Sequence, residues 1–423
     1  MRPRRLRAPS CLAALGLACL AASSAAPTAT PQNATAEVRA LWVLRSSLTS
    51  PASIAALVRS AHDHGFNTLL VQVRGRGDAY FSGGIEPRAA DLQRQPLTFD
   101  PLATVLESAH AVGLDVHAWV NVNLVSSAAD LPIARTHVVN RHPEWLMVPR
   151  DVAQDLARVG PRSPAYVGRL ARWTRGQADG IEGLYTSPIV PAAVAHIESV
   201  VRDLARRYDV DGIHLDYARY PSARFDYSRA ALAEFKKDVR PTLTAPVRAA
   251  LDRRERVDLL AYPDALPAEW RAFRVSRMTS LMGRLRAAVK TARPDALVTV
   301  AAAPDLEDAL DHKLQDWGGW LESGTVDAVC PMAYTPEPER FAQQIAAARD
   351  VAGGGAVWAG IGAYRLTAAR TIENIRTARR LGTAGIVLFS YDSLIDPKQA
   401  SADYLGVVGR SVFPRSITSE GSR

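Results

Sequence analysis

Apolar and polar positions along this chain recur in one order: a short apolar run, a turn rich in Gly, Pro, Asn or Asp, then a longer stretch with apolar residues at helical spacing. That alternation predicts parallel βα units. The apolar runs are Val38–Leu44, Thr68–Val73, Leu114–Val120, the segment ending at Asp216, Ala296–Ala303, Val326–Tyr334, Ala356–Ile361 and Gly385–Ser390. Helices are predicted over Pro51–His64, Pro101–Val112, Pro191–Tyr208, Pro267–Ala292, Leu306–Ser323, Glu337–Val351 and Thr367–Leu381, with a last one near Ala400–Val408. Proline at the start of several of these, and Gly65 and Gly113 just past two of them, are the expected helix punctuation.

The repeat is interrupted twice. A long excursion runs from Leu124 to Val190, after the third strand, and a charged, helical one from Ser222 to Leu266, after the fourth. Loops of such length in a compact domain are usually lids or binding loops. The second excursion joins the long helix, whose buried stripe is expected to be Trp270, Phe273, Met278, Leu281 and Leu285. About eight βα units in one chain, with no Gly-x-Gly-x-x-Gly turn after the first strand, favour an α/β (β/α)8 TIM barrel with insertions after strands 3 and 4 over an open dinucleotide-binding sheet.

Composition narrows the class. A hydrophobic fraction of 48% over 423 residues is ample for a large core. The formal charge of +8 owes four charges to Arg2, Arg4, Arg5 and Arg7, so the remaining excess is mild. No basic run is interleaved with aromatics, so no nucleic-acid partner is expected. The basic start, the apolar stretch Cys11–Ala22 and the small residues Ser23 to Ala26 form the three parts of a secretory signal. The apolar stretch is short for a stable membrane span, and a lipid anchor on Cys19 is disfavoured because Gly16-Leu17-Ala18 lacks the usual upstream Leu. The expected division is a signal peptide over residues 1–25, a flexible leader over 26–36, the barrel over 37–410 and a flexible tail over 411–423. The mature chain is expected to be secreted or periplasmic, with Cys330 as its sole cysteine and therefore no internal disulfide.

In a barrel, the residues just past each strand ring one mouth. They are Arg74 and Asp78, Asn121 and Asn123, Asp216 and Tyr217, Asp305, Tyr334, Tyr364, and Tyr391 with Asp392. Polar groups that bond hydroxyls, aromatic faces that carry sugar rings and a carboxylic acid that can protonate a bridging oxygen suit a glycan site. In the segment Asp209–Pro221, alternation puts Gly212, His214 and Asp216 on one face, with Asp216 at the mouth and His214 beneath it. Asp216 is thus the candidate general acid, and Asp78, Asp305 or Asp392 its candidate partner. A separation of about 5–5.5 Å between the two would mean retention, and about 6.5–9.5 Å inversion. Structural roles compete: Asp78 as a loop cap, Asp305 as a helix cap, Asp392 as a loop tie, and His214 as a satisfied interior histidine. The first strand lacks a His-x-His pair and the chain lacks a Gly-x-Ser-x-Gly elbow, so no metal or other cofactor is expected and carboxylate acid/base chemistry remains.

Several segments together resemble the glycosyl-hydrolase-like family 10 barrels. They are Glu37-Val-Arg-Ala-Leu-Trp42, Gln72-Val-Arg74 with Gly77-Asp-Ala79, Phe99-Asp-Pro101, Val116-His-Ala-Trp119 with Asn121, Val210-Asp-Gly-Ile-His-Leu-Asp-Tyr217 with Arg219-Tyr-Pro221, Pro331-Met-Ala-Tyr334 and Gly385-Ile-Val-Leu-Phe389. These are exported bacterial proteins that include peptidoglycan glycan-strand hydrolases. The resemblance implies a secreted glycoside hydrolase that cleaves a bacterial polysaccharide, with Asp216 on the family's strand-four Asp as general acid. It also implies sugar contacts at Asp78, Trp119, Asn121 and Tyr334. Arg74, Asn123, His214, Tyr217 and Asp392 complete the candidate substrate-binding set. Tyr217 stands where the family often carries a second acidic residue. A fainter likeness to family 18 chitinases breaks at Ala218, which occupies the position of their catalytic Glu. The alternatives are a non-catalytic glycan-binding barrel and, third, an exported barrel lyase or deacetylase.

Overall fold

A computed structural model of the chain describes residues 37–177, 181–398 and 401–413. The expected signal and leader lie outside the described residues. Ten strands occur among them: β1 (Val38–Val43), β2 (Thr68–Arg74), β3 (Asp115–Asn121), β4 (Leu124–Ser127), β5 (Gly183–Tyr185), β6 (Gly212–Asp216), β7 (Leu297–Ala302), β8 (Ala328–Ala333), β9 (Ala356–Ile361) and β10 (Gly385–Phe389). Eight of these close into a parallel barrel in the order β1-β10-β9-β8-β7-β6-β3-β2, while β4 and β5 pair with each other, antiparallel, outside it. The seam is a parallel pairing of β1 with β10, from Val38 opposite Gly385 to Trp42 opposite Phe389. The expected barrel with two insertions is what forms.

Alternation along each strand divides the side chains between two environments. Leu41, Val43, Leu69, Val71, Ile213 and Leu215 join the main core, to which the helices also contribute. Ala40, Trp42, Leu70, Trp119, Cys330, Trp358 and Val387 pack together as an inner cluster. Cys330 is fully buried there, and burial pushes its thiol well above its ordinary range. Gly212 is required by crowding: a Cβ on it would lie 2.4 Å from Nδ1 of His117. Above it, Trp42 Nε1 donates to His214 Nε2 at 3.0 Å, and His214 Nδ1 meets Thr299 Oγ1 at 2.9 Å. Both ring nitrogens of His214 are therefore used within the barrel.

The two insertions fold into one cap. Val125, Val139, Trp145, Leu146, Leu156 and Leu170 from the first pack with Tyr227, Leu232, Phe235 and Tyr262 from the second in a separate apolar core. The helix Pro267–Ala292 belongs to both layers. Its expected stripe is buried, but Trp270 and Phe273 serve the cap, while Met278, Leu281 and Leu285 serve the barrel. A buried ion pair stands beneath one side of the mouth: Arg74 Nε and Nη2 bond both oxygens of Glu86, at 2.6 and 2.7 Å.

Two expectations need correction. Leu306–Ser323 is not one helix but two, Leu306–Asp311 and Trp317–Glu322. Leu314 takes a left-handed φ of 52° between them, and Asp316 accepts from Gly319 N at 3.2 Å, which starts the second helix afresh. The last helix is Tyr404–Val412 rather than Ala400–Val408, and Phe413 after it is buried against Phe66 with ring centroids 5.2 Å apart. The folded part therefore passes residue 410. No helix among the described residues is long and apolar enough to cross a membrane.

Candidate functional site

β6 is a short, fully buried strand that brings its final residue, Asp216, to the open end of the barrel. The chain then turns sharply, with Tyr217 at φ 50°, and the Tyr217 N–H donates to Asp216 Oδ1, 2.6 Å away. Asp216 is only 6% exposed. Burial raises its pKa and the negative charge of Glu182 adds to the effect, against Arg219, the Tyr217 N–H and the Trp119 indole, which pull it down. A carboxyl so placed is suited to carry a proton into a reaction.

Asp216 lines a cavity of about 820 Å³ at this end of the barrel. One wall is aromatic: Tyr334 stacks on Phe389 with centroids 5.3 Å apart, and Trp42 and Tyr364 meet Tyr334 edge-on. Polar groups face them. Asn121 accepts from Trp119 Nε1 at 2.9 Å and donates to the Gly75 carbonyl at 2.7 Å, so strand β3 and the loop after β2 hold its amide in one orientation. Arg45 crosses over Gly75, where a Cβ would come within 2.4 Å of Arg45 Nη1, and reaches Gln72 Oε1 at 3.2 Å. Asp91, Glu182 and Asp308 are the cavity's further carboxylates, and Arg76, Arg219 and Lys313 its further cations.

Of the residues singled out from the sequence, the structure brings Trp119, Asn121, Asp216, Tyr217, Tyr334 and Tyr364 together in this cavity. The others stand elsewhere. Asp78 Oδ1 accepts from Arg76 N at 2.9 Å and pins the glycine-rich loop. Asp305 caps the helix Leu306–Asp311, accepting from Asp308 N at 3.0 Å. Asp392 ties the end of β10 to the loop after β1, accepting from Leu44 N, Ser46 Oγ and Ser47 Oγ at 2.7, 2.8 and 2.8 Å. None of the three lines the cavity. Arg74 is spent on Glu86 and on the Asn121 carbonyl, and positions β3 rather than facing the mouth. Asn123 Nδ2 donates to the Thr186 carbonyl at 2.9 Å and joins β3 to the first insertion. His214 lies beneath Asp216 as expected, but Trp42 and Thr299 occupy it, and burial followed by the nearness of His117 lowers its pKa to about 3.

Glu182 and Arg219 are the residues that the strand-end rule did not find. Glu182 immediately precedes β5, and its Oε1 accepts from Arg219 Nη2 at 3.1 Å while Oε2 accepts from Tyr185 OH. The Arg219 guanidinium lies over the Tyr217 ring, 4.5 Å from its centroid. Arg219 is visible in sequence only as part of Arg219-Tyr-Pro221, and Glu182 carries no signal beyond a charged residue ahead of an apolar triplet. Among the described residues, no group of three or more His, Cys, Asp or Glu side chains is gathered as a metal site would require.

Comparison with known proteins agrees with this fold. Residues 37–374 match the family described as Glycosyl hydrolase-like 10. The glycosyl hydrolase DigH of Escherichia coli (strain K12) is 25% identical over 351 residues, 73% of this chain and 68% of that protein. The glycosyl hydrolase YngK of Bacillus subtilis is 25% identical over 162 residues, 37% of this chain but only 26% of YngK. Among solved structures, the glycoside hydrolase domain of PgaB (BpsB) from Bordetella bronchiseptica superimposes with a TM-score of 0.59 at 17% identity, over 85% of this chain and 95% of that one. That likeness shows a shared barrel. With a family match over most of its length and this closed barrel around it, the chain belongs to the Glycosyl hydrolase-like 10 family.

Proposed function

We propose that this protein is a glycoside hydrolase that cleaves a bacterial polysaccharide, with the glycan strands of peptidoglycan as the leading substrate and Asp216 as general acid. The observation that carries the reading is Asp216 itself: a buried carboxyl with a raised pKa, at the strand end of a barrel, in a cavity walled by Trp42, Trp119, Tyr334 and Phe389. Aromatic faces of this kind hold sugar rings, and the amide of Asn121 with the cations around it offers bonds to hydroxyl and acyl groups. Asp216 then protonates the bridging oxygen as the glycosidic bond breaks. The relatives named glycosyl hydrolases support the reaction class, and the basic-then-apolar N-terminus supports action outside the cytoplasm.

The test is glycan release, followed by mass spectrometry, from peptidoglycan strands with and without stem peptides and from chitin oligomers. Wild-type protein is expected to generate new reducing ends that disappear in Asp216→Asn. Saccharide binding without cleavage by either protein would instead establish a glycan-binding barrel.

A further inference from the structure

Resting on the glycosidase reading, we infer that Glu182, delivered by the first insertion rather than by a barrel strand, is the carboxylate that works opposite Asp216. The two line the same cavity, yet their surroundings differ in the way that two roles require. Asp216 is 6% exposed, whereas the Glu182 side chain is 38% exposed and open to water. Both Glu182 oxygens act as acceptors, one for the Arg219 guanidinium and one for the Tyr185 hydroxyl, an arrangement that fixes a carboxylate in place. Arg219 interacts electrostatically with both acids and is itself 11% exposed at the side chain, so one guanidinium sets the position of one acid and tempers the other.

The cavity holds two other carboxylates. Asp91 takes the Tyr80 hydroxyl, and Asp308 pairs with His312 at 3.1 Å. Glu182 sits at the start of β5, whose partner β4 follows β3 directly, and Asn123 between β3 and β4 bonds the Thr186 carbonyl. The insertion is thereby tied to the barrel beside Asn121 and Asp216.

In this assignment Glu182 takes a proton from a water molecule as the water oxygen bonds to the anomeric carbon. The bond from that carbon to the bridging oxygen breaks, its electron pair stays on the bridging oxygen, and that oxygen receives the proton of Asp216. One water is consumed, a hemiacetal and an alcohol leave, and the proton on Glu182 returns to Asp216 through solvent. Arg219 is a positioning residue for the pair.

The experiment compares full-chain wild type, Asp216→Asn, Glu182→Gln and Glu182→Ala on peptide-free peptidoglycan strands and chitin oligomers, with a thermal melt for each. Glu182→Gln is expected to lower kcat by about 10²–10⁴-fold with an unchanged melt. In Glu182→Ala, sodium azide enters the vacated space, attacks the anomeric carbon directly and restores turnover, with a glycosyl azide as product by mass spectrometry. Activity of Glu182→Gln within a few-fold of wild type, or a folded Glu182→Ala that azide does not revive, overturns the assignment while leaving Asp216 and the glycosidase reading standing. If Glu182→Gln does not fold, Glu182→Ala replaces it, and near-normal kcat in that folded variant without azide counts against the assignment. A wild type that cleaves neither material overturns the glycosidase reading, and the role of Glu182 falls with it.

Discussion

Asp216 accepts a hydrogen bond from the backbone N–H of its own neighbour, Tyr217, at 2.6 Å, and Tyr217 itself occupies the left-handed region with φ 50°. That region is rarely used by a residue with a side chain, and strain of this kind gathers where a site needs a fixed geometry. The bond favours the charged carboxyl, but burial acts more strongly and the net shift is upward. A carboxyl whose pKa is higher in the folded than in the unfolded state contributes stability that is present below the unfolded value and is lost as pH rises through the folded one. Asp216→Asn removes that loss. The variant is expected to melt no lower than wild type at pH 7, with the difference between them shrinking toward pH 4, and thermal scans across this range check it. A variant much less stable than wild type at pH 7 would contradict the burial argument.

The Arg74–Glu86 pair makes an opposite prediction. Both side chains are almost wholly buried, at 1% and 2% exposure. Burial by itself would raise the Glu86 carboxyl, yet Arg74 and His196 outweigh it and hold the pKa near 2. A depressed pKa gives stability that is present above the unfolded value and lost as pH falls through the folded one. Glu86→Gln leaves Arg74 charged, buried and half-partnered, at a cost of about 3–5 kcal/mol. Denaturant titrations at pH 7 are expected to show that loss and, between pH 5 and 2, a shallower acid slope than wild type. Because Arg74 also holds the Asn121 carbonyl, the same variant is expected to loosen the mouth.

Trp42 and His214 supply a third. Trp42→Phe removes the indole donor and leaves His214 Nε2 buried without a partner, which costs about 1–3 kcal/mol. His214 itself, lowered to about 3, and His117, lowered by burial to about 4, are neutral in the folded barrel at ordinary pH. Their unfolded pKa is near 6.5, so they stabilise the fold above that value and progressively less below it. The wild-type melting temperature is expected to fall as pH drops from 6.5 toward 4, and His214→Gln, though less stable at pH 7, is expected to show a smaller part of that fall.

The barrel was legible because its signal is repeated. Each apolar run such as Ala356–Ile361 is short and bounded, each helix carries Pro or Gly punctuation, and the strand-end rule then leads to Asp216 and Tyr334 with no further information. What the sequence hid depends on geometry across the fold. Asp305 and Asp392 fall in the right positions along the chain, but local donors claim them, Asp308 N for one and Leu44 N with two serines for the other. Glu182 escaped for the reverse reason: it belongs to no barrel strand, and only the pairing of β5 with β4 brings it to the mouth. The break at Leu314 was hidden because its left-handed turn is made by a leucine, which nothing in composition marks as a breaker.

Cys330 gives this barrel a built-in clock. Among the described residues it is the one cysteine, and it lies fully buried inside the ring of strands. Alkylation needs an accessible thiolate, and both access and ionisation are withheld from it while the ring stays shut. Its modification rate therefore counts openings of the barrel itself, apart from any fraying of the cap, and mass spectrometry can read that rate with no engineered label.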